Sequence, residues 1–233
     1  NGYTMGTMSV TQIISELYPF TQQNIWIDWL NKELASYGKS PVNYDSIMQV
    51  TQTVGDIIHT YFIEVAMWFP TVGLPEIFQD LEEPIRAFIK NNNVKGLICE
   101  FHIEKPGEYI GHPDLIVMKD YKDKRIKALA DVKTYGLYRK VLGLPEKVAW
   151  KLNGNTSKVS LQTSMYRDAL LFSKFDHIQR HWNVSHLFCY HIKYDSVDAV
   201  ELKFDVSKYL AWKDNARIQR MWEASGFEQS VEY

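Results

Sequence analysis

With 233 residues, 45% of them apolar and 14% aromatic, the chain has the length of one domain and enough apolar surface for a sizeable core, which excludes disorder by composition. Its net charge of −2 excludes a whole-protein field that would draw in nucleic acid, so any such role needs a local patch. No apolar run spans a bilayer: the longest candidate, 57–69, is broken by His59 and Glu64, and the opening residues lack the basic start and apolar stretch of a secretory signal. With Cys99 and Cys189 expected as two separate thiols, the chain is predicted to be cytoplasmic, in a reducing compartment, and not to engage a membrane.

Ser9 precedes the apolar positions Ile13, Ile14 and Leu17, so it is the expected N-cap of a short helix that Tyr18 and Pro19 end. A second helix is predicted over 21–36, with Ile25, Ile27, Trp29, Leu30 and Leu34 on its apolar side and Gly38 as its stop. The spacing of Ile47, Val54, Ile58, Tyr61, Phe62, Val65 and Trp68 predicts a long helix over 45–69, on which Gly55 and His59 share one stripe. A further helix is expected over 76–91. Strands are predicted over 95–104, 109–118 and 126–134, the first containing Glu100. Then follow an irregular stretch over 135–157, a helix over 159–173, a strand pair over 184–194 and 199–204, and a closing helix over 207–224. The expected fold class is α/β in a single domain: a mainly helical part over 1–94, a core of mixed central sheet flanked by helices over 95–205, and a C-terminal helical segment over 206–233.

Residues 111–133 carry the chemistry. Asp114 leads into Leu115, Ile116 and Val117, and Asp131 stands near the end of the following strand, with Lys133 two residues on. Residues two apart on a strand share a face, about 7 Å from one another. Asp131 and Lys133 therefore point one way, and Ala128, Ala130 and Val132 the other. A hairpin through 120–125 brings Asp114 alongside Asp131. Two close carboxylates repel unless a proton or a cation stands between them. A hard divalent cation prefers such oxygen ligands and fills its shell with water and substrate phosphate. A lysine beside it can hold, or help deprotonate, an attacking water. This is the chemistry of phosphodiester hydrolysis.

In chain order the unusual residues are Gly55 and His59, Glu100, Gly111 and Asp114, Asp131 and Lys133, then Gln162 and Tyr166. They read GDIIH, GHPD, DVK and QTSMY. Each motif is common alone; four in order on a helix, two strands and a helix are specific together. The chain thus resembles the PD-(D/E)XK nuclease superfamily, and within it the RecB-type exonuclease branch. The opening SVTQII is also similar to the start of phage and mitochondrial genome-maintenance exonucleases of that branch. The resemblance runs from Ser9 to Tyr166 and implies a metal-dependent DNA nuclease, acting on ends or single strands in viral, phage or plasmid DNA processing and recombination. It implies Mg²⁺ or Mn²⁺ held by Asp114 and Asp131, with His59, the main-chain carbonyl of Val132 and Glu100 as further ligands. Lys133 would position the water, and Gln162 and Tyr166 would face the cleft. Four-cysteine members of the branch hold an iron–sulfur cluster; with two cysteines this chain is expected to hold none. The resemblance leaves room for a recombinase or helicase partner.

A basic, aromatic stretch follows the DVK motif. Over 135–160, Arg139, Lys140, Lys147, Lys151 and Lys158 stand against Glu146, with Tyr135, Tyr138 and Trp150 interleaved. Cations for phosphates and aromatic faces for bases hold single strands, so Arg139, Lys140, Lys151, Tyr138 and Trp150 are expected as a nucleic-acid wall. Two other readings compete: a site- or structure-directed endonuclease of the same fold, and a non-catalytic nucleic-acid-binding subunit.

Overall fold

A computed structural model of the chain describes residues 7–146, 155–172 and 183–224. The elements in order are β1 (Met8–Ser9), α1 (Val10–Leu17), α2 (Gln23–Ser36), α3 (Tyr44–Met67), a 3₁₀ turn (Glu76–Leu81), α4 (Glu82–Asn91), β2 (Lys95–Cys99), β3 (Ile103–Lys105), β4 (Tyr109–Gly111), β5 (Leu115–Tyr121), β6 (Lys124–Lys133), α5 (Tyr138–Val141), α6 (Thr156–Phe172), β7 (His186–Ile192), β8 (Val197–Leu202) and α7 (Ser207–Ala224). The fold is mixed α/β, with two mixed sheets flanked by helices.

The main sheet has the order β2-β5-β6-β7-β8, antiparallel throughout except where β6 and β7 run parallel. Parallel neighbours need a long crossover, and α5 and α6 lie in it. A two-residue turn joins β5 to β6; Lys122 and Asp123 both take positive φ (49° and 60°), the geometry that matches the twist of a tight hairpin. The turn sets the register: Leu115 pairs with Ala130 and Val117 with Ala128.

Strand alternation divides the core into two layers. Leu115, Val117, Ala128, Ala130, Val132, Phe188 and Tyr190 pack under α3 and α4 with Ile58, Phe62 and Ile85. Ile116, Leu129, Leu187 and Cys189 face α1, α6 and α7 with Ile13, Val159, Met165 and Tyr209. A second sheet, β1-β4-β3, lies beside α1, which Ser9 starts with the expected cap: its hydroxyl accepts from the Gln12 N–H and the Gln12 side chain accepts from Ser9.

Several expected boundaries shift for local reasons. The expected helix over 76–91 becomes a 3₁₀ turn and then α4, because Pro84 is tolerated only in the first turn of an α-helix. The strand expected over 95–104 ends at Cys99; Glu100 sits just beyond it, at a φ of 45°, and turns the chain toward β3. Pro113, with no N–H to give a ladder, separates β4 from β5 within the strand expected over 109–118. On α2, Leu30 and Leu34 are buried as expected, but Ile25 and Trp29 are exposed. Cys99 and Cys189 are free thiols. No helix among the described residues is long and apolar enough to cross a membrane.

Candidate active site

The register Leu115↔Ala130 continues by one step to set Asp114 opposite Asp131. Asp131 and Lys133 leave β6 toward the α6 layer, where Asp131 is 1% exposed. The Lys133 Nζ lies 2.7 Å from Asp131 Oδ2. That ion pair is the contact these buried oxygens keep; among the described residues no other side chain or main-chain group hydrogen-bonds them. Burial pushes the Asp131 carboxyl up to about 7; Asp114 adds to the rise and Lys133 opposes it. Burial would lower the Lys133 ammonium, but Asp131 and Asp114 outweigh it and hold its pKa well above the lysine range.

Asp114 is fixed by two neighbours. Its Oδ2 accepts a hydrogen bond from the Val132 N–H at 2.7 Å and lies 3.2 Å from His59 Nε2. Burial would raise this carboxyl, but the His59 hydrogen bond, Lys133 and the Val132 N–H together hold it below its ordinary value. His59 reaches the sheet from the middle of α3, and its Nδ1 lies 3.8 Å from Glu100 Oε1. Burial would lower the imidazole, but Asp114, Glu100 and Asp131 raise it above 6.5. Gly55, one turn before His59, faces Thr134 just past β6, where an added Cβ would make ordinary contact with Thr134 Oγ1 at 3.5 Å.

On the other layer, the Gln162 side-chain amide donates to the Tyr166 hydroxyl at 2.9 Å. Burial pushes that hydroxyl up to about 12; the Gln162 bond opposes, and Asp131 and Asp114 add to the rise. Tyr166 packs on Gly111, where a Cβ would come within 2.6 Å of its ring. The glycine of GHPD and the tyrosine of QTSMY therefore make one contact. His59, Glu100, Asp114, Val132, Asp131, Lys133, Gln162 and Tyr166 gather around the joined ends of β2, β5 and β6.

The expected basic wall is used otherwise. Arg139 is 1% exposed and makes a two-pronged ion pair with Glu33, Nη1 to Oε2 at 3.0 Å and Nη2 to Oε1 at 2.5 Å. Breaking a pair like this costs about 3–5 kcal/mol, so it fixes α5 to α2 rather than waiting for a phosphate. Tyr138 is buried against Trp26, with ring centroids 6.0 Å apart. Lys140 pairs with Asp80 and lies over the Tyr194 ring. Trp150 and Lys151 lie outside the described residues.

Two features were not read from the sequence as site residues. Lys158, named there only as part of the basic stretch, is lowered by burial and further by the Lys133 charge. It precedes Gln162 and Tyr166 at four-residue steps along α6, and that stripe was the available signal. His102 and His112 bring their rings together, Nδ1 to Nε2 at 3.3 Å, on the exposed side of the GHPD motif; ten residues apart in sequence, they carried no signal.

Among the described residues no group of three or more His, Cys, Asp and Glu side chains stands as they lie in an arrangement that could hold a metal ion. The donor chemistry nonetheless suits a hard divalent cation: the buried Asp131 carboxylate, with Lys133 beside it, faces a second carboxylate, Asp114, across one strand step. No family model matches the chain, and no curated protein does. Among solved structures it is similar to the crystal structure of SSO0001, at 14% identity and a TM-score of 0.38, over 94% of this chain and 79% of that one. A likeness of that size carries no argument.

Proposed function

We propose that this protein is a metal-dependent DNA nuclease of the PD-(D/E)XK type, acting as an exonuclease on ends or single strands. One observation carries the reading: the fully buried Asp131 carboxylate has Lys133 as its counterion, 2.7 Å away, and stands across from the second carboxylate, Asp114. A carboxylate is costly to bury even beside a counterion, and the strand positions around Asp131 are mostly apolar. A site that receives a cation and a phosphate repays that cost on binding.

Asp114, Asp131 and the Val132 carbonyl would hold Mg²⁺ or Mn²⁺, which when bound neutralises phosphate charge and acidifies water. Glu100 and His59 flank Asp114 on the α3 side. The raised pKa of Lys133 keeps it an ammonium, so it orients water and stabilises negative charge on the phosphate; it does not take a proton. Gln162 holds the Tyr166 hydroxyl and so fixes the cleft wall on the α6 side. Lys158 adds a second cation for the phosphate.

The test is degradation of single strands labelled at the 5′ or the 3′ end, with Mg²⁺ or Mn²⁺. The parent protein should shorten one of them, and Lys133→Ala should slow the reaction at least about 100-fold. A parent that binds the strands at millimolar Mn²⁺ yet leaves them intact is a binding subunit, and the enzyme reading is then wrong.

A further inference from the structure

The C-terminal end of α3 carries an anomaly. Trp68 caps the helix in the left-handed conformation, φ 63°, where glycine or asparagine is usual. The Phe69 N–H closes the turn onto the Glu64 carbonyl at 2.9 Å. A bulky residue pays for this backbone, and such strain persists where the side chain has a use. Burial is not that use, because Trp68 is 79% exposed and Phe69 49%. Neither backbone nor core selects a tryptophan here.

The surroundings say what does. Trp68 and Phe69 line an open groove with Val65, Ile89, Arg86 and Lys90, and none of the described residues lining it is a carboxylate. Both cations are on the exposed side of α4. Arg86 is held in place by Thr71 Oγ1 at 3.0 Å and by the Tyr61 ring 5.5 Å away. Two aromatic faces beside two cations with no lining anion complement a polyanion that carries flat bases.

Trp68 lies nine residues from His59 on α3, about 14 Å along the axis and half a turn round it. Gly96, near the start of β2 beside Ala66, and Glu100, just past its end beside His59, connect the same two places. A stacked strand advances about 3.4 Å per nucleotide, so the axial separation alone takes about four nucleotides, and the path round α3 adds more.

We propose that this groove binds single-stranded nucleic acid, with bases stacked on Trp68 and Phe69 and phosphates on Arg86 and Lys90. The inference builds on the nuclease reading, as the platform from which a strand runs to Asp131. The wall expected at Arg139 and Tyr138 is thereby placed elsewhere.

The experiment measures binding of a labelled oligothymidylate to the full chain by anisotropy, in chelator, across a salt series. In parallel it follows metal-dependent hydrolysis of bis-(p-nitrophenyl) phosphate, which is too small to reach the groove. Trp68→Ala should weaken oligonucleotide binding about tenfold. Trp68→Phe should restore most of it, and Arg86→Gln/Lys90→Gln should flatten the salt dependence. Hydrolysis of the small ester should stay unchanged in all three. Trp68→Gly should bind as poorly as Trp68→Ala while melting at a higher temperature, because glycine relieves the backbone. Parent-like oligonucleotide binding by Trp68→Ala overturns the proposal, as does a loss of self-association at unchanged DNA affinity, which assigns the groove to a second copy. Failure of the small-ester reaction in the parent bears on the nuclease reading alone, since binding is read without metal.

Discussion

The Val132 N–H donates to Asp114 Oδ2 at 2.7 Å, joining the residue that opens β5 to the main chain between Asp131 and Lys133. That bond leaves the central sheet ladder and fastens a side chain instead. Asp114 is thus positioned by the same strand that carries its partners, and its other neighbour is the imidazole of His59.

The first prediction concerns that imidazole. Burial alone would lower the His59 pKa; Asp114, Glu100 and Asp131 outweigh it. Removing the charge of Asp114 leaves burial with less opposition. In Asp114→Asn the His59 pKa should therefore fall relative to the parent, read from the ring-proton NMR titration. An unchanged midpoint would place the raising charge elsewhere.

Cation binding should depend on pH with a defined sign. The Asp131 carboxyl lies up at about 7, so below that pH a proton occupies the group a cation would need. Apparent Mn²⁺ affinity should rise by up to about tenfold per pH unit below 7 and level off above it. Calorimetric titration at pH 6, 7 and 8 checks this, and Asp131→Asn should abolish the slope.

Gly111→Ala should destabilise the fold. A Cβ would stand 2.6 Å from Tyr166 Cε1, 2.9 Å from Cδ1 and 3.3 Å from Val10 Cγ2, all within the packed α6 layer. Overpacking of this kind costs about 1–3 kcal/mol. The smaller Tyr166→Leu should recover part of that loss in the double variant, measured by urea denaturation. Additive effects would mean the two positions do not meet.

Glu108 ties the β3–β4 hairpin to α7. The Tyr209 hydroxyl donates to it at 2.7 Å and Lys213 Nζ stands 2.9 Å away, while Lys105 bridges it to Asp168. Burial would raise this carboxyl, but the bonds from Tyr209 and Lys213 hold it below 4.5. A depressed acid contributes stability above its unfolded pKa and loses it as pH falls through the folded one. Glu108→Gln should therefore cost about 1 kcal/mol at pH 7 and progressively less as pH falls below 4.5. Denaturant midpoints for parent and variant at pH 7 and pH 3.5 give the comparison; a constant difference refutes it.

Much was legible in the sequence because it rests on local rules. The period of α3 put Gly55 and His59 on one stripe, and strand alternation placed Asp131 with Lys133 and apart from Ala128, Ala130 and Val132. The Ser9 cap was readable from its spacing to Gln12. Local rules fail where partners come from afar. Arg139 reads as a free cation until Glu33, 106 residues earlier, folds against it. Tyr138 reads as a stacking surface until Trp26 covers it. Glu100 reads as a strand residue until the main chain turns at Cys99. The sequence by itself determined the α/β pattern and the order of the carboxylates, lysine and histidine, because periodicity belongs to the chain. Only the tertiary structure decided which charges end in distant ion pairs, how deeply Asp131 is buried beside Lys133, and that Trp68 remains in solvent, because pairing and burial belong to distant residues brought together.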